Sequence, residues 1–526
     1  KQAEIRVSGK VLDEKGEALI GVSVLLKGTQ IGTVTDLDGK FKMPLADGVS
    51  GVLQFSFVGY LTQEVTVGNQ SLLKITLKPD AKSLEELVVI GYGTTKKSDL
   101  SAAVATVPDM ARIKDRPVLN VQSMLQGKVA GVTAVSGGGH PNGTPAITIR
   151  GMGSKGAEDV LYVVDGVPGA PYNPSDVESI TVLKDAASAA IYGAFSGSAG
   201  VILITTRQAT QGKPSVEYSG FTGIKQAWKK PQSLNAQQEA MISNLAYKNA
   251  GLQPLDGWDA SKNPDAQVTR TNWVDEIFRT GIIQRHNVSV NAGTEKFSTL
   301  LQGRYEKEEG TLLNTYNQNL SLRFNANYQF NKHVKFRQDV FWNNNDNRGT
   351  ATESGYSGTI LSAIYMPSAA VPYYADGSFG GVGPRDSDYL GIHGDAISPV
   401  GTLMRNRAYN KKSQLQSVSE LTVSDIIPDL TFTSRFSYKL GNLLYKNFEP
   451  RRTEPGKPSN QNILSYRTQK ESHWIWENTL NYNKVLGKHN IGGMLSSTAQ
   501  VNSLKEFTAG ARGFENEENW AQYFIN

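Results

Sequence analysis

The sequence has no cysteine, no long apolar run and almost no excess of one charge over the other. Its 526 residues include 54 Lys and Arg against 49 Asp and Glu, for a net charge of +5. Without Cys the chain can form no disulfide, no thiolate zinc site and no thiol nucleophile, and it suits an oxidising compartment. The weak net charge gives no reason to expect nucleic acid as a partner. A membrane-spanning helix is excluded because no run approaches about 18 apolar residues, although a β-barrel is not.

Residues 1–79 alternate apolar and polar side chains with a period of two. Leu53, Phe55 and Phe57 share one face, for example, and turn sequences such as Asp38-Gly39 separate the runs. Strict alternation is typical of half-buried strands, and Asp-Gly is typical of hairpin turns. The pattern predicts a small antiparallel β-sandwich of about seven strands.

A short apolar run, Leu87–Ile90, lies between charged and glycine-rich flanks within residues 80–118. It favours a strand but has no evident sheet of its own. It is therefore either a linker or a segment that adds a strand to the sheet edge of a partner, and composition leaves both open. The polar stretch Thr94–Asp99 that follows is expected to be mobile.

Residues 119–208 combine short helical and strand-like segments with many glycines, which predicts a compact α+β domain. Gly151–Gly156 has the spacing G-x-G-x-x-G, but a dinucleotide site would need a helix directly afterwards. The next segment, Val160–Asp165, is strand-like instead, so no cofactor is expected. Phosphate-loop, serine-nucleophile and zinc-histidine motifs are also missing from the sequence. We therefore expect no catalytic residue, no metal site and no enzyme activity.

Residues 216–500 contain nine segments of roughly ten residues in which apolar and polar side chains alternate. This is the length and pattern of strands that cross a bilayer at a tilt. Short and long connections alternate between the segments, as in outer-membrane barrels with short turns at one rim and long loops at the other. The predicted strands are 216–224, 284–292, 297–306, 317–329, 333–343, 413–424, 429–440, 470–483 and 488–500.

The long connections, 225–283, 344–412 and 441–469, are rich in Gly, Asn, Tyr and Asp. Aromatic rings stack on sugar faces, and amide or carboxylate groups bond to hydroxyls. Ordinary loop composition explains the same residues, and we favour that interpretation for each residue taken alone. The candidates for substrate binding are Tyr373, Tyr374, Asp376, Asp386, Asp388 and Tyr389.

Several motifs follow one another along the chain. They are residues 5–78, Leu87–Thr94, Leu125–Val132, Ile147–Gly151, Leu161–Val167, Ser179–Asp185, Ala190–Gly193, Gly200–Thr206, Trp273–Arg279 and Gln284–Val290. In this order they resemble the SusC/RagA-like TonB-dependent outer-membrane transporters. The first is similar to the carboxypeptidase-regulatory-like domain of that family, the second to its energy-coupling TonB box, the next six to its plug domain and the last two to its early barrel. Beyond residue 290 the resemblance rests on the strand pattern.

The resemblance implies four segments and two sets of site residues. The segments are a β-sandwich over 1–79, the TonB box and linker over 80–118, the plug over 119–212 and the first part of a transmembrane β-barrel over 213–526. The TonB-box residues are Glu86, Leu87, Val88, Val89, Ile90, Gly91 and Tyr92. The plug-motif residues are Arg150, Gly151, Asp165, Gly166, Lys184, Asp185, Tyr192 and Gly193. Arg150 and Asp165 are the candidate charges that anchor the plug, and the alternative for both is a solvated charge in a turn.

By the same resemblance, the expected function is TonB-dependent import of oligosaccharides across the bacterial outer membrane, with the N-terminal domain in the periplasm. The implied partners are TonB with ExbB–ExbD, a SusD-like surface lipoprotein as a lid, outer-membrane lipids, and surface glycan-binding or glycoside hydrolase lipoproteins. No cofactor is implied. Import of oligopeptides and a non-transporting glycan-binding barrel scaffold remain the alternatives.

The number of strands in the sequence is smaller than the family barrel requires. The complete barrel of the family is expected to have about 22 strands, enough to enclose a plug. An open sheet of nine would leave edge N–H and C=O groups unpaired in lipid. We therefore expect this chain to be the N-terminal part of a longer one, or to be completed by another chain.

Overall fold

The computed structural model of the chain is mostly β and divides into two compact units, Lys1–Val104 and Ala105–Asn526. It describes residues 4–77 apart from 14, 15, 17, 20, 28, 30, 31, 37, 47–50, 58, 59, 61 and 68–71. Beyond these it describes 87–90, 93–96, 104–107, 110, 120–135, 139–151 apart from 142, 160–184, 200–350, 358–382, 396–487 and 489–518. No helix within these ranges is long and apolar enough to cross a membrane.

The first unit contains two β-sheets around one apolar core, to which Val7, Phe41, Leu53 and Phe55 contribute. The strands are β1 (Glu4–Leu12), β2 (Ser23–Leu26), β3 (Gly32–Val34), β4 (Lys40–Ala46), β5 (Gly51–Ser56), β6 (Gln63–Val67) and β7 (Leu72–Thr76). The strand order is β4-β1-β7 in one sheet and β3-β2-β5-β6 in the other. The predicted sandwich is confirmed.

The prediction that all strands of this sandwich are antiparallel is wrong for one pair. β1 and β7 run parallel, with Ser8 opposite Leu72 and Leu12 opposite Thr76. Side chains alternate in the same way along parallel and antiparallel strands. The sequence pattern therefore located the strands but could not give their direction.

Two short strands, β8 (Leu87–Ile90) and β9 (Gly93–Lys96), follow the sandwich and pair with each other as an antiparallel hairpin. The sequence pattern indicates no partner strand for β8 and predicts a mobile stretch from Thr94. The expectation for Thr94–Lys96 is corrected by this pairing, because a strand can pair through backbone groups without apolar side chains of its own. Residues 97–99 lie outside the described residues.

The α+β domain, here called the plug domain, opens the second unit. It consists of a five-stranded sheet of order β10-β15-β16-β13-β14, a hairpin β11-β12 and a short helix, and Val121, Ile180 and Ile202 lie in its apolar core. The elements are β10 (Val104–Thr106), α1 (Val121–Leu125), β11 (Val132–Val135), β12 (Ala146–Ile149), β13 (Leu161–Val164), β14 (Val167–Pro168), β15 (Val177–Leu183) and β16 (Val201–Thr206). A mixed α+β domain was predicted here.

A single antiparallel sheet of nine strands in sequence order forms the largest part of the chain. The strands are β17 (Gly212–Lys225), β18 (Gly281–Gly293), β19 (Phe297–Glu309), β20 (Tyr316–Gln329), β21 (Val334–Arg348), β22 (Tyr409–Ser424), β23 (Leu430–Glu449), β24 (Ile463–Leu486) and β25 (His489–Arg512). Each overlaps one predicted strand. The last three extend well beyond their predicted bounds, because strand pairing continues where the alternation fades.

The two faces of this sheet have the polarity that the alternation predicted. On β20, Leu320 and Leu322 are 40% and 48% exposed, whereas Arg323 is 4% exposed and Asn325 is fully buried. A protein surrounded by water has the opposite arrangement, and a barrel wall in lipid has this one. We call the buried, polar face the wall face.

The long connections do not behave as ordinary loops. They contain α2 (Ala236–Asn249), α3 (Trp273–Ile277), α4 (Thr359–Tyr365) and α5 (Pro399–Arg405), and α3 to α5 pack around a shared apolar core. Trp273 lies at its centre, and its indole N–H donates to the carbonyl oxygen of Pro367 at 2.9 Å. The composition of these connections had not predicted a core of their own.

Candidate functional site

The candidate functional site is the contact between the plug domain and the wall face. It begins at Asp165 and Gly166, which join β13 to β14 with φ of 47° and 85°. Two residues of positive φ form the turn that suits a tight hairpin, and Asp-Gly is a favoured sequence for it. The Asp165 carboxylate is held by Thr206, whose N–H donates to Oδ1 at 2.9 Å and whose hydroxyl donates to Oδ2. The turn is thus rigidly attached to β16.

Two arginines of the wall face hold this turn. Arg323 of β20 donates from Nη2 to Asp165 Oδ2 at 3.4 Å, and Arg435 of β23 donates from Nη1 to the Asp165 carbonyl oxygen at 3.1 Å. The guanidinium of Arg435 occupies the space that a Cβ on Gly166 would need, with Nη1 only 2.0 Å from that position. Glycine is therefore required both by the turn and by the arginine packed on it.

A second contact is made by the turn Pro174–Asp176, which precedes β15. The Asp176 carboxylate accepts from Gln302 Nε2 of the wall face at 3.0 Å. Beside it, Arg304 Nη1 donates to the Ser175 hydroxyl at 3.3 Å. The two surfaces therefore meet through several separate polar contacts rather than through a dry apolar interface.

The end of the plug domain is fastened to the rim where the short turns lie. Ala209 N–H donates to Asn325 Oδ1 at 2.9 Å, and its carbonyl oxygen accepts from Ser298 at 3.3 Å. Thr210 N–H donates to Asn291 Oδ1 at 3.0 Å. The neutral amides of β18 and β20 therefore fix the point at which the chain passes from the plug domain into β17.

Burial raises the pKa of the carboxyl groups of both Asp165 and Asp176. For Asp165, the positive charge of Arg323 and the hydrogen bonds from Thr206 work in the opposite direction. For Asp176, the neighbouring charge of Arg323 is the main lowering influence on the pKa. Removal from water disfavours the charged form of a carboxyl group unless neighbours compensate fully.

Two family models match the chain. Residues 7–89 match the CarboxypepD_reg-like domain, and residues 96–201 match the TonB-dependent Receptor Plug Domain. TonB-dependent receptor P3 of Formosa agariphila is 31% identical over 529 residues, which cover 98% of this chain and 50% of that protein. TonB-dependent receptor SusC of Bacteroides thetaiotaomicron is 34% identical over 394 residues, covering 72% of this chain and 38% of that protein.

The chain belongs to the SusC-like TonB-dependent receptors. Both of these relatives are named as TonB-dependent receptors. The family resides in the outer membrane, in agreement with the apolar outer face of β20. The chain spans about half the length of the first of these relatives.

Solved structures give the same fold. The RagAB peptide importer in its open-open state aligns with a TM-score of 0.67 and 21% identity, over 82% of this chain and 51% of that one. The RagAB peptide transporter aligns with a TM-score of 0.65 and 20% identity, over 80% of this chain and 50% of that one. At these identities the likeness concerns the fold alone.

Not all plug-motif residues of this SusC-like chain contact the wall face. Asp165 and Gly166 do. Arg150 and Gly151 form an exposed turn with φ of 58° and 89°, and the Arg150 N–H donates to the Gly131 carbonyl oxygen at 2.8 Å. Lys184 is half-buried after β15, and no ion pair involves Arg150 or Lys184 in the described part of the chain. An anchoring role for Arg150 stays a prediction.

Part of the predicted site falls beyond the described residues. Of the TonB-box segment, the backbone of Leu87, Val88, Val89 and Ile90 forms β8. The predicted site residues that lie outside the described residues are Glu86, Gly91, Tyr92, Asp185, Tyr192, Gly193, Asp386, Asp388 and Tyr389.

The described candidates for substrate binding form a local turn. Tyr373 pairs with Phe379, and Tyr374 N–H donates to the Ser378 carbonyl oxygen at 2.8 Å. Asp376 Oδ1 accepts from the Ser378 N–H at 3.0 Å and from its hydroxyl at 2.6 Å. This use of an aspartate is typical of turns and supports ordinary loop composition at Asp376. No group of acidic and histidine side chains suited to a metal was found among the described residues.

Sequence reasoning did not name the wall-face residues of the site. Arg323 and Arg435 lie 158 and 270 residues from Asp165 in the sequence. One signal was available, because both are charged residues on the polar side of a predicted strand that also carries large apolar residues. The alternation assigned them to the inner face, but only the fold could place them against Asp165.

Proposed function

We propose that this SusC-like receptor takes part in TonB-dependent active import of oligosaccharides across the outer membrane. The observation that carries the proposal is a plug domain held against the polar wall face by separate polar contacts, above all at Asp165. A pore wide enough for an oligomer needs such a plug, and the plug must be removable. The absence of catalytic motifs agrees with transport rather than chemistry.

The energy is proposed to arrive mechanically through β8. An extended strand can pair with a strand of TonB and carry a load through backbone hydrogen bonds. TonB is driven by ExbB–ExbD in the inner membrane, and the pull would pass through β9 to the plug domain. In this proposal the sandwich of β1 to β7 lies in the periplasm.

A SusD-like surface lipoprotein is proposed as the lid on the extracellular side. The apolar core around Trp273 supports this idea, since it gives the long connections a rigid surface on which a lid can close. Surface glycan-binding or glycoside hydrolase lipoproteins are further proposed partners. Pull-down of the receptor from native membranes, followed by identification of lipoproteins that survive high-salt washing, tests the assignment.

The substrate is proposed to be an oligosaccharide, with an oligopeptide as the second candidate. The tyrosine- and asparagine-rich connections support the first, because aromatic rings and amides suit sugars. The name of the RagAB peptide importer supports the second. Mass spectrometry of ligands that stay bound to the purified receptor separates them, and peptides alone in that fraction would exclude the glycan assignment.

Deletion of residues 86–92 tests transport itself. The deletion should abolish uptake and leave surface expression and ligand binding intact, because it removes only the strand that meets TonB. Uptake that persists at the normal rate would refute the coupling role. A non-transporting scaffold predicts instead that ligand is bound but never accumulates, with or without a proton gradient.

A further inference from the structure

Each wall-face arginine that contacts the plug domain already has a carboxylate on the wall face itself. For Arg323 this contact is bidentate, because Nε donates to Asp339 Oδ1 at 3.2 Å and Nη2 donates to Oδ2 at 2.6 Å. The three pairs are Arg323 with Asp339, Arg435 with Glu477 and Arg304 with Glu306. Each of these three arginines therefore has a counter-charge on the wall face itself, and Glu306 serves Arg285 as well as Arg304.

The plug domain supplies only additional partners to these arginines. The Arg323 contact with Asp165 is 3.4 Å, longer than its 2.6 Å contact with Asp339. Arg435 meets a neutral main-chain oxygen of the plug domain, and Arg304 meets the neutral hydroxyl of Ser175. No arginine of this set depends on the plug domain for its main counter-charge.

The carboxylates of the plug domain are supported in the same way from their own side. Asp165 accepts two hydrogen bonds from Thr206. Asp176 accepts from Asn173 Nδ2 and from the Ser175 hydroxyl, each at 3.3 Å. After separation of the two surfaces, the arginines of the wall face therefore keep carboxylate acceptors, and the carboxylates of the plug domain keep hydrogen-bond donors.

A polar cavity of about 250 Å³ already separates parts of the two surfaces. Arg207, Gln302 and Arg304 are among its lining residues, and each presents one buried polar atom without a protein partner in the described part of the chain. A polar space of this size accommodates water. Bridging water can replace direct hydrogen bonds at small cost, so displacement of the plug domain can begin from this cavity.

We propose that the wall-face carboxylates Asp339, Glu477 and Glu306 act as positioning residues that keep the arginines paired when the plug domain leaves. An ion pair is costly to break chiefly because it leaves a buried charge alone. Here the partner on the wall face remains, so removal of the plug domain breaks only its additional contacts. The inference rests on the proposed function in one respect, namely that the plug domain is displaced.

Asp339→Asn tests the inference. The substitution leaves Asp165 as the main carboxylate of Arg323, so the plug domain should be held more firmly. The rate at which urea opens the receptor in planar lipid bilayers reports displacement of the plug domain as conductance. Opening should become about three- to tenfold slower, the effect of strengthening one hydrogen-bonded contact. Opening at the wild-type rate or faster would overturn the inference.

Matched variants separate this effect from general damage to the wall. Glu471→Gln removes the carboxylate 3.1 Å from Lys439, a wall-face pair with no plug contact among the described residues, and should leave the rate unchanged. Asp339→Glu should restore the wild-type rate. Adding Asp165→Asn to Asp339→Asn should cancel the slower opening, and slow opening that survives in the double variant contradicts the inference.

The variants must insert into the membrane for the bilayer assay to report on the plug domain. Insertion of each variant is checked by its heat-modifiable mobility on gels. If Asp339→Asn does not insert, Glu477→Gln is used instead, and opening should again slow because the Asp165 carbonyl oxygen then becomes the main acceptor of Arg435. The bilayer assay needs neither TonB nor substrate. If the wild-type receptor shows no uptake but Asp339→Asn still opens more slowly than wild type, the proposed transport is refuted and the inference stands. If the wild-type receptor shows uptake but Asp339→Asn does not open more slowly, only the inference is refuted.

Discussion

The guanidinium of Arg435 lies over Gly166, in the space that any side chain at that position would need. Gly166→Ala should therefore disturb both the left-handed turn and the arginine contact. Gly169→Ala is the matched control, because Gly169 also has positive φ, 66°, but no atom lies within 4 Å of its Cβ position.

Gly169→Ala should cost about 1–2 kcal/mol of unfolding free energy, the usual penalty for a left-handed alanine. Gly166→Ala should cost roughly 1–3 kcal/mol more, the usual range for overpacking. Urea unfolding of the plug domain, monitored by protease sensitivity, measures the difference in unfolding free energy between the two variants. Equal losses in the two variants would mean that Arg435 moves aside without cost.

The buried carboxyl group of Asp176 should make the stability of the plug domain depend on pH. Burial raises the pKa of its carboxyl in the folded protein, so the folded state holds the proton more tightly than the unfolded state. Stability of the plug domain should therefore be highest below the ordinary Asp pKa of about 4 and should fall as pH rises through the raised value. Asp176→Asn should make this dependence shallower, and part of it should remain because burial raises the pKa of Asp165 in the same direction. Urea unfolding of the plug domain between pH 4 and pH 7 would contradict the assignment if stability increased across this range.

Trp273 should control the structure of the long connections without affecting the sheet. Its side chain is 1% exposed, whereas Trp228 in the same connection is 94% exposed. Trp273→Ala should cost about 3–5 kcal/mol within that core, and Trp228→Ala should cost almost nothing. Hydrogen exchange in 359–366 measures the local loss. Unchanged protection there would show that the apolar core does not depend on this residue.

Because the chain has no native Cys, an engineered disulfide can cross-link β8 to β9 without competing thiols. Val88 and Thr95 face each other in the register, so Val88→Cys with Thr95→Cys should form a disulfide. If β8 carries load as an extended strand, oxidation should block uptake and a reductant should restore it. The single variant Val88→Cys controls for the substitution. Full uptake with a verified disulfide would mean that the hairpin transmits force intact.

The sequence predicted the two faces of the nine-stranded sheet better than the contacts between its wall face and the plug domain. Alternation along 317–329 predicted a strand with one apolar and one polar face, because lipid on one side and polar groups on the other impose a period of two. In β20 these faces carry Leu320 and Leu322 on one side and Arg323 on the other. Asp165 was named as an anchoring charge, and the structure places it against Arg323 and Arg435. Those partners could not be predicted, since sheet curvature and the seating of another domain decide which distant residues meet.

Two other features were missed for local reasons. The core around Trp273 joins short helices from separate connections, each too short to show a helical period. The pairing of β8 with β9 was missed because Gly93–Lys96 has no apolar alternation. In both cases packing and backbone pairing determine the structure where side-chain periodicity is absent.

The parallel pairing of β1 with β7 has a mechanical meaning. These are the first and last strands of the sandwich, so the chain enters beside Glu4 and leaves beyond Thr76 at the opposite end of the same pair. Tension between those two points would load every hydrogen bond of the pair at once, in shear. In the β8–β9 hairpin the same tension would act on the Leu87–Lys96 end first and open the bonds one after another. Because the sandwich precedes β8 in the chain, a pull applied at β8 would load the hairpin and the plug domain but not the β1–β7 pair.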